Sequence, residues 1–322
     1  MANPDQPLRL VLFGSGAFGL PTFEQLRSNA ERCEVSLVVT QPDRPAGRKR
    51  EPRPTPVGEW AASHDLPLLK PESVNDPPTR DQIRAAEADA FVVIAFGQKL
   101  GPELLDGVFA INLHGSLLPK YRGAAPIQRA VMAGERQIGV SVIGLAERMD
   151  AGAVYAMAMT TVGAEETSGD LHDRLAELGP RVIERVLEQF RGDTLDPTPQ
   201  NDAEATLARK MTKEEGTTHF DKPCDAVRAR INGLNPWPGC SVTVEGRALK
   251  IGRVRSRPEI EHGGSPGAYL GEGLVACGAG AVELLEMQAP GGRMMRFEEF
   301  ERGHSISTDA RFAPTGADTK SK

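Results

Sequence analysis

The sequence predicts an α/β chain whose first half is a doubly wound, mostly parallel sheet and whose second half is a small β-barrel. Two observations carry this. The first half alternates near-continuous apolar runs with amphipathic ones, the pattern of parallel strands covered by helices on both faces. Beyond residue 208 the runs become short and are bounded by Gly, Pro or charge, as in a small barrel. Between them lies a polar stretch with two prolines, "RGDTLDPTPQNDAEAT", at 191–206. The expected organisation is a sheet domain over 1–190, a linker over 191–208, a barrel domain over 209–312 and a disordered tail over 313–322.

The first strand is "LRLVLFG", and Gly14, Gly16 and Gly19 follow in the spacing G-x-G-x-x-G. A dinucleotide fingerprint also needs an acidic residue about 20 positions on to hold the ribose. The next strand, "CEVSLVVT", ends at Thr40 and Gln41, and Asp43 comes later beside Pro42. The glycines are therefore expected to serve a tight strand-to-helix turn, with no NAD bound. "LPTFEQLRSN" reads as the helix after that turn. "QPDRPAGRKREPRPTPV", residues 41–57, sets Arg44, Arg48, Lys49, Arg50 and Arg53 against Asp43 and Glu51. Its five prolines suit neither a helix nor an inner strand. A long basic loop is expected there.

"AFVVIAFG", "FAINLHG" and "IGVSVIGL" are read as further strands of the parallel sheet. "APIQRAVMAG" is a helix opened by Pro126, and "AVYAMAMTTV" an edge strand. "TSGDLHDRLAELGPRVIERVLEQF" reads as one long helix, capped by Thr167 with Asp170 three residues on. After the linker come a helix, "KPCDAVRARINGL", and five short strands from "GCSVTVEG" to "AVELLEMQA".

The net charge of −6 argues against indiscriminate nucleic-acid binding. The charge is uneven, however. Residues 209–257 hold eleven Lys/Arg against five Asp/Glu, a net of +6, and residues 258–322 hold six against ten, a net of −4. The basic segment would suit a polyanionic ligand. The four cysteines lie far apart without a C-x-x-C, so no zinc or redox motif is expected. No apolar stretch reaches 18 residues, and "MANPDQPLRL" has no signal-peptide pattern. A cytoplasmic protein without a membrane partner is expected.

The chemistry concentrates in "FAINLHGSLLPKYRGAAPIQRAV". Asn112 and His114 are two apart in a strand, which puts both side chains on one face. They stand at the strand's carboxyl end, where doubly wound sheets bind ligands. "KYRG" adds two cations. Asp150, in the loop after a later strand, supplies a carboxylate. Together the three offer an oxyanion donor, an acid/base and an orienting carboxylate. No Ser or Cys stands in a nucleophile elbow. The set suits direct group transfer between two substrates.

The chain resembles the methionyl-tRNA formyltransferase family along nearly its whole length. The motifs are "TQPDRPAGR" at 40–48, "VVIAFGQKL" at 92–100, "INLHGSLLPKYRGAAPIQRA" at 111–130, "AEETSGDLHDRLAELGP" at 164–180 and "INGLNPWPG" at 231–239. The first turn departs from the G-T-P-x-F common in the family and reads "GSGAFG". The loop differs in detail after Arg48.

The resemblance implies a formyltransferase-type, Rossmann-like domain followed by an OB-like barrel that contacts tRNA. It implies formyl transfer from 10-formyltetrahydrofolate to the α-amine of methionyl initiator tRNA, without a metal. Asn112, His114 and Asp150 fall on the catalytic positions. Ser116, Leu117, Leu118 and Pro119 fall on the folate site, and Phe96, Gly97 and Gln98 are assigned to it too. Arg44, Arg48, Lys49, Arg50, Lys210 and Lys213 are assigned to tRNA. The basic loop is expected to be mobile until tRNA orders it, and a monomer is expected. The alternative is a related folate-dependent formyltransferase acting on a ribonucleotide or an amino sugar. Further rivals are a folate-dependent hydrolase domain and a non-catalytic tRNA-binding protein.

Overall fold

The structure is a computed structural model that describes residues 6–46 and 51–315. β1 (Leu8–Gly14) leads through a tight turn to α1 (Leu20–Ser28) and β2 (Cys33–Val39). A short hairpin of β3 (Arg44–Ala46) and β4 (Glu51–Arg53) precedes α2 (Pro56–Ser63) and β5 (Leu68–Leu69). Next come α3 (Pro77–Arg84), β6 (Ala90–Ile94), α4 (Pro102–Leu105) and β7 (Phe109–His114). β8 (Arg122–Gly123), α5 (Pro126–Met132), β9 (Gln137–Gly144) and β10 (Val154–Thr161) follow. Then α6 (Ser168–Ala176) and α7 (Gly179–Arg191) lead to β11 (Leu207–Ala208) and α8 (Cys224–Leu234). The last elements are β12 (Cys240–Val244), β13 (Arg247–Arg257), β14 (Tyr269–Gly271), β15 (Leu274–Ala276) and β16 (Ala281–Gln288). They end with β17 (Met295–Arg296), α9 (Phe297–Gly303) and β18 (Ala313–Pro314).

The first sheet runs in the order β10-β9-β7-β6-β1-β2-β5. Its strands from β5 to β7 are parallel. β1 and β6 are almost wholly buried Val, Leu, Ile and Phe, as a strand covered on both faces requires. Phe13, Phe91 and Phe96 meet edge to face within this core. Gly14 lets α1 approach, since a Cβ there would lie 2.5 Å from the Phe23 ring. The glycine pattern thus has a packing role.

Four sequence expectations need correction. β9 is antiparallel to β7, not parallel. The intervening helix α5 packs against α8 and groups with the second compact unit. The long helix is two helices, because Pro180 in the first turn of α7 has no N–H to continue α6. The cap is as expected: Asp170 Oδ2 accepts from Thr167 N and Oγ1, and Thr167 Oγ1 accepts from Asp170 N. The basic loop contains the β3–β4 hairpin, whose strands pair only with each other in that sheet, and it ends in α2, with Thr55 as cap and Pro56 opening the first turn. The tail expected at 313 starts instead as β18, paired with β12. Residues 316–322 lie outside the described residues.

The second sheet is antiparallel and curled, in the order β14-β15-β16-β13-β12-β18, with β17 on β16. Val, Leu, Ile and Cys from alternate positions join α8, Phe300 and Phe312 in its core. The chain forms two compact units. The first holds residues 1–122, 139–159 and 172–206, and the second holds 123–138, 160–171 and 207–322. Among the described residues, no helix is long and apolar enough to cross a membrane.

Candidate active site

The carboxyl end of β7 presents Asn112 and His114 on the same face of the first sheet, as the period of two dictates. The intervening Leu113 is buried and lies close to Gly179 of α7. Asn112 is half-buried, and its carboxamide bonds no other group among the described residues. His114 is only 6% exposed, and its ring is held by the backbone: Nε2 lies 2.8 Å from the Tyr121 carbonyl oxygen. A carbonyl only accepts, so Nε2 carries a proton and donates it there. Nδ1 is then the nitrogen that faces Asp150, 3.6 Å from Oδ2. That separation exceeds a hydrogen bond, so neither group saturates the other.

Asp150 is 15% exposed and sits in a left-handed turn, φ 53°. The turn is tight because a Cβ at Gly152 would fall 1.8 Å from the Gly144 carbonyl oxygen. Gln200 Nε2 donates to the carbonyls of Asp150 and Gly152, at 2.8 and 2.7 Å. Asp150, expected to orient His114, faces Nδ1, and the Tyr121 carbonyl holds the opposite nitrogen of the ring. Tyr121 and Gln200 carry no sequence signal, because their contacts are backbone carbonyls and a residue 50 positions away, which no local pattern encodes. Arg122, counted as a cation in "KYRG", is 93% buried and spends its charge on Asp202, at 2.9 Å.

Residues 116–119 form a compact loop ending in a cis Leu118–Pro119 bond. Ser116 is buried, and its hydroxyl donates to the Lys120 carbonyl at 2.7 Å. Ser141 Oγ donates to the Ser116 carbonyl and accepts from Leu118 N. The Leu118 side chain is buried, and Leu117 is half-buried. The loop can therefore offer a ligand its backbone and the Leu117 side chain. At the end of β6, Phe96 is buried in the core, and its carbonyl accepts from Ser15 Oγ and Gln41 Nε2. Gln98 is taken up by Val74 N and the Pro71 carbonyl. Gly97, at φ 86°, leaves exposed backbone between them.

Of the basic residues, Arg44 is exposed and pairs with Glu72 at 2.7 Å. Arg48, Lys49 and Arg50 lie outside the described residues. Lys210 and Lys213 are exposed, without an ion pair among the described residues. The arginines of β13 are different. Arg253 meets Asp170 and Glu286, Arg255 meets Glu165 and Glu283, and Arg257 meets Glu259 and Glu283. Three of the eleven cations counted along 209–257 are thus paired with carboxylates, two of which stand on the neighbouring strand β16.

No nucleophile competes with the Asn–His–Asp set. All four cysteines are free and buried, and burial pushes Cys33 up to about 11 and Cys240 and Cys277 up to about 12. Thiols so protonated at neutral pH are inert. Among the described residues no group of three or more His, Cys, Asp or Glu could hold a metal ion.

Comparison with known proteins gives this geometry a setting. The formyl transferase model matches residues 8–187, and the formyl transferase C-terminal domain model matches residues 210–305. A methionyl-tRNA formyltransferase of Stutzerimonas stutzeri is 38% identical over 315 residues, covering 96% of this chain and 98% of the relative. One of Cereibacter sphaeroides is 40% identical over 306 residues, covering 94% and 99%. Among solved structures, an N-formyltransferase of Helicobacter canadensis, in complex with folinic acid and dTDP-3-aminofucose, aligns with a TM-score of 0.65 at 14% identity. It covers 88% of this chain and 98% of that one. HypX of Aquifex aeolicus, in complex with tetrahydrofolic acid, aligns at 0.60 and 18% identity over 94% of this chain, which spans about half (48%) of that protein. These two structures speak to the fold alone. With one model matched over more than half its length and relatives aligned along nearly all of it, the chain belongs to the formyl transferase family.

Proposed function

We infer that the chain transfers the formyl group of 10-formyltetrahydrofolate to the α-amine of methionyl initiator tRNA. The observation that carries this reading is the alignment with methionyl-tRNA formyltransferases over nearly the whole chain, C-terminal region included. In the reaction the amine nitrogen bonds to the formyl carbon, the bond from that carbon to N10 of the folate breaks, and one proton passes from the amine to N10. Asn112 donates its amide to the formyl oxygen as negative charge builds there, which the unpartnered carboxamide supports. His114 Nδ1 and Asp150 share the proton in transit, consistent with their facing each other beyond hydrogen-bond distance. The folate site is the loop Ser116, Leu117, Leu118 and Pro119 together with Phe96, Gly97 and Gln98, where Phe96 and Gln98 act through backbone.

Residues 1–190 form the catalytic domain in this reading, and 209–312 the tRNA-contacting domain. Arg44, Arg48, Lys49, Arg50, Lys210 and Lys213 meet tRNA phosphates. The chain works as a monomer in the cytoplasm. The test is product analysis: the chain is incubated with 10-formyltetrahydrofolate and methionyl initiator tRNA, and the released amino acid is identified by mass spectrometry. N-formylmethionine is the expected product. Its absence, with formylation of glycinamide ribonucleotide or an amino-sugar nucleotide instead, would overturn the reading.

A further inference from the structure

The segment 198–206 has the composition of a linker, yet it is tied to both halves of the catalytic set. Thr198 and Val154 exchange two backbone hydrogen bonds of 2.8 Å, which anchors its start. At its far end, Thr206 Oγ1 accepts from Tyr121 N at 2.8 Å, and the Thr206 carbonyl accepts from Arg122 N at 2.8 Å. Tyr121 is a non-glycine residue at φ 62°, and its carbonyl is the acceptor for His114 Nε2. Midway, Gln200 donates to the carbonyls on either side of Ala151, in the Asp150 turn. Its own Oε1 accepts from Arg122 Nε at 3.0 Å. Arg122 also reaches Asp202, which Arg148 meets from the other side, and the two guanidiniums, Arg148 first, hold the Asp202 carboxyl below its usual range.

We propose that Gln200 and Thr206 are positioning residues for formyl transfer: Gln200 sets the Asp150 turn, Thr206 sets the Tyr121 carbonyl that holds His114, and Arg122 locks the two arms together. The argument rests on the functional reading above. One side-chain amide uses both its hydrogens on the turn that carries the carboxylate and its oxygen on the buried arginine, so its donor and acceptor ends have separate roles. The bonds named here end on backbone groups and on Arg122 and Arg148, not on the side chains of Asn112, His114 or Asp150. The segment's effect is therefore on the alignment of Asp150 Oδ2 with His114 Nδ1, and that alignment matters only once substrates are bound.

The test measures kcat and KM for methionyl-tRNA formylation, per folded molecule, in the wild-type chain and four variants. Gln200→Ala removes both the donor and the acceptor ends of the amide. Gln200→Glu keeps an acceptor for Arg122 but cannot donate to the two carbonyls. Both should lower kcat about 10- to 100-fold while KM for either substrate stays within about twofold, because a small misplacement of reacting groups is costly in rate alone. Thr206→Val should lower kcat, and Thr206→Ser, which keeps the hydroxyl, should restore it. Variants with a lower melting temperature but wild-type kcat per folded molecule would overturn the proposal. An inactive wild-type chain would instead overturn the functional reading beneath it.

Discussion

On β13, Arg253 and Arg255 stand opposite Glu286 and Glu283 of β16, and each guanidinium meets a carboxylate. At the end of β7 the polar side chains are handled differently. His114 and the Asp150 turn are held through backbone carbonyls, and the Asn112 carboxamide bonds no other group among the described residues. Charge neutralised inside a ladder stabilises that ladder and has little left for a ligand. Groups held from behind by the backbone are fixed in place, and an active site needs such preorganised groups. A count of charges along the chain cannot separate the two cases, because the partner strand supplies the cancellation.

The largest effect that should separate the regions is at His114. His114→Ala should lower kcat about 100- to 10,000-fold with little change in folate affinity, as expected for a positioned acid/base. Steady-state kinetics and folate titration check this, and near-normal turnover would remove His114 from the mechanism. Asn112→Ala should cost about 100- to 1,000-fold in kcat, the usual loss of one oxyanion donor. A rise in KM alone would make Asn112 a ground-state contact.

In the other region the effect should be on stability. Arg253→Met leaves the half-exposed Asp170 and Glu286 without this partner, and should destabilise the fold by about 1–2 kcal/mol, at the low end for a hydrogen-bonded charge. Urea unfolding measures it, and an unchanged midpoint would show that the ladder pairing is not stabilising. The smallest effect concerns acid. Hydrogen bonds from Arg27, then from Trp60 and Ser28, outweigh burial and lower Glu24 from its ordinary 4.5 to about 2. A depressed carboxylate contributes stability above its unfolded value and loses it as pH falls through the folded one. The stability difference between wild type and Glu24→Gln should therefore be full above about pH 4.5 and shrink toward pH 2. A difference that grew as pH fell would contradict this.

The placement of the candidate site residues was legible because its signals are local. A period of two fixes the common face of Asn112 and His114, and near-continuous apolar strands fix the sheet that carries them. Thr167 and Asp170, three apart, form the expected cap. The break at Pro180 was also written in the sequence and was overridden by the amphipathic pattern around it. Tyr121, Arg122, Gln200 and Thr206 were not legible. The bonds that tie Gln200 and Thr206 to the site span 50 to 85 positions, and polar residues between prolines read as linker. The direction of β9 was hidden because α5 has the sequence of a crossover helix but packs on α8.

The central claim is that rate resides at the carboxyl end of β7 while the exposed lysines of the C-terminal unit contribute only tRNA affinity. Single-turnover formylation of methionyl initiator tRNA, followed against enzyme concentration, tests it in one experiment with Asn112→Ala and the double variant Lys210→Ala, Lys213→Ala. The account predicts that Asn112→Ala lowers the plateau rate about 100-fold or more at unchanged half-saturation. It predicts that the double variant keeps the plateau, needs more enzyme to reach it, and shows a salt slope flatter by about 0.7 to 0.9 for each phosphate that a lysine no longer neutralises. A double variant with a collapsed plateau, or an Asn112→Ala variant with a wild-type plateau, would contradict it.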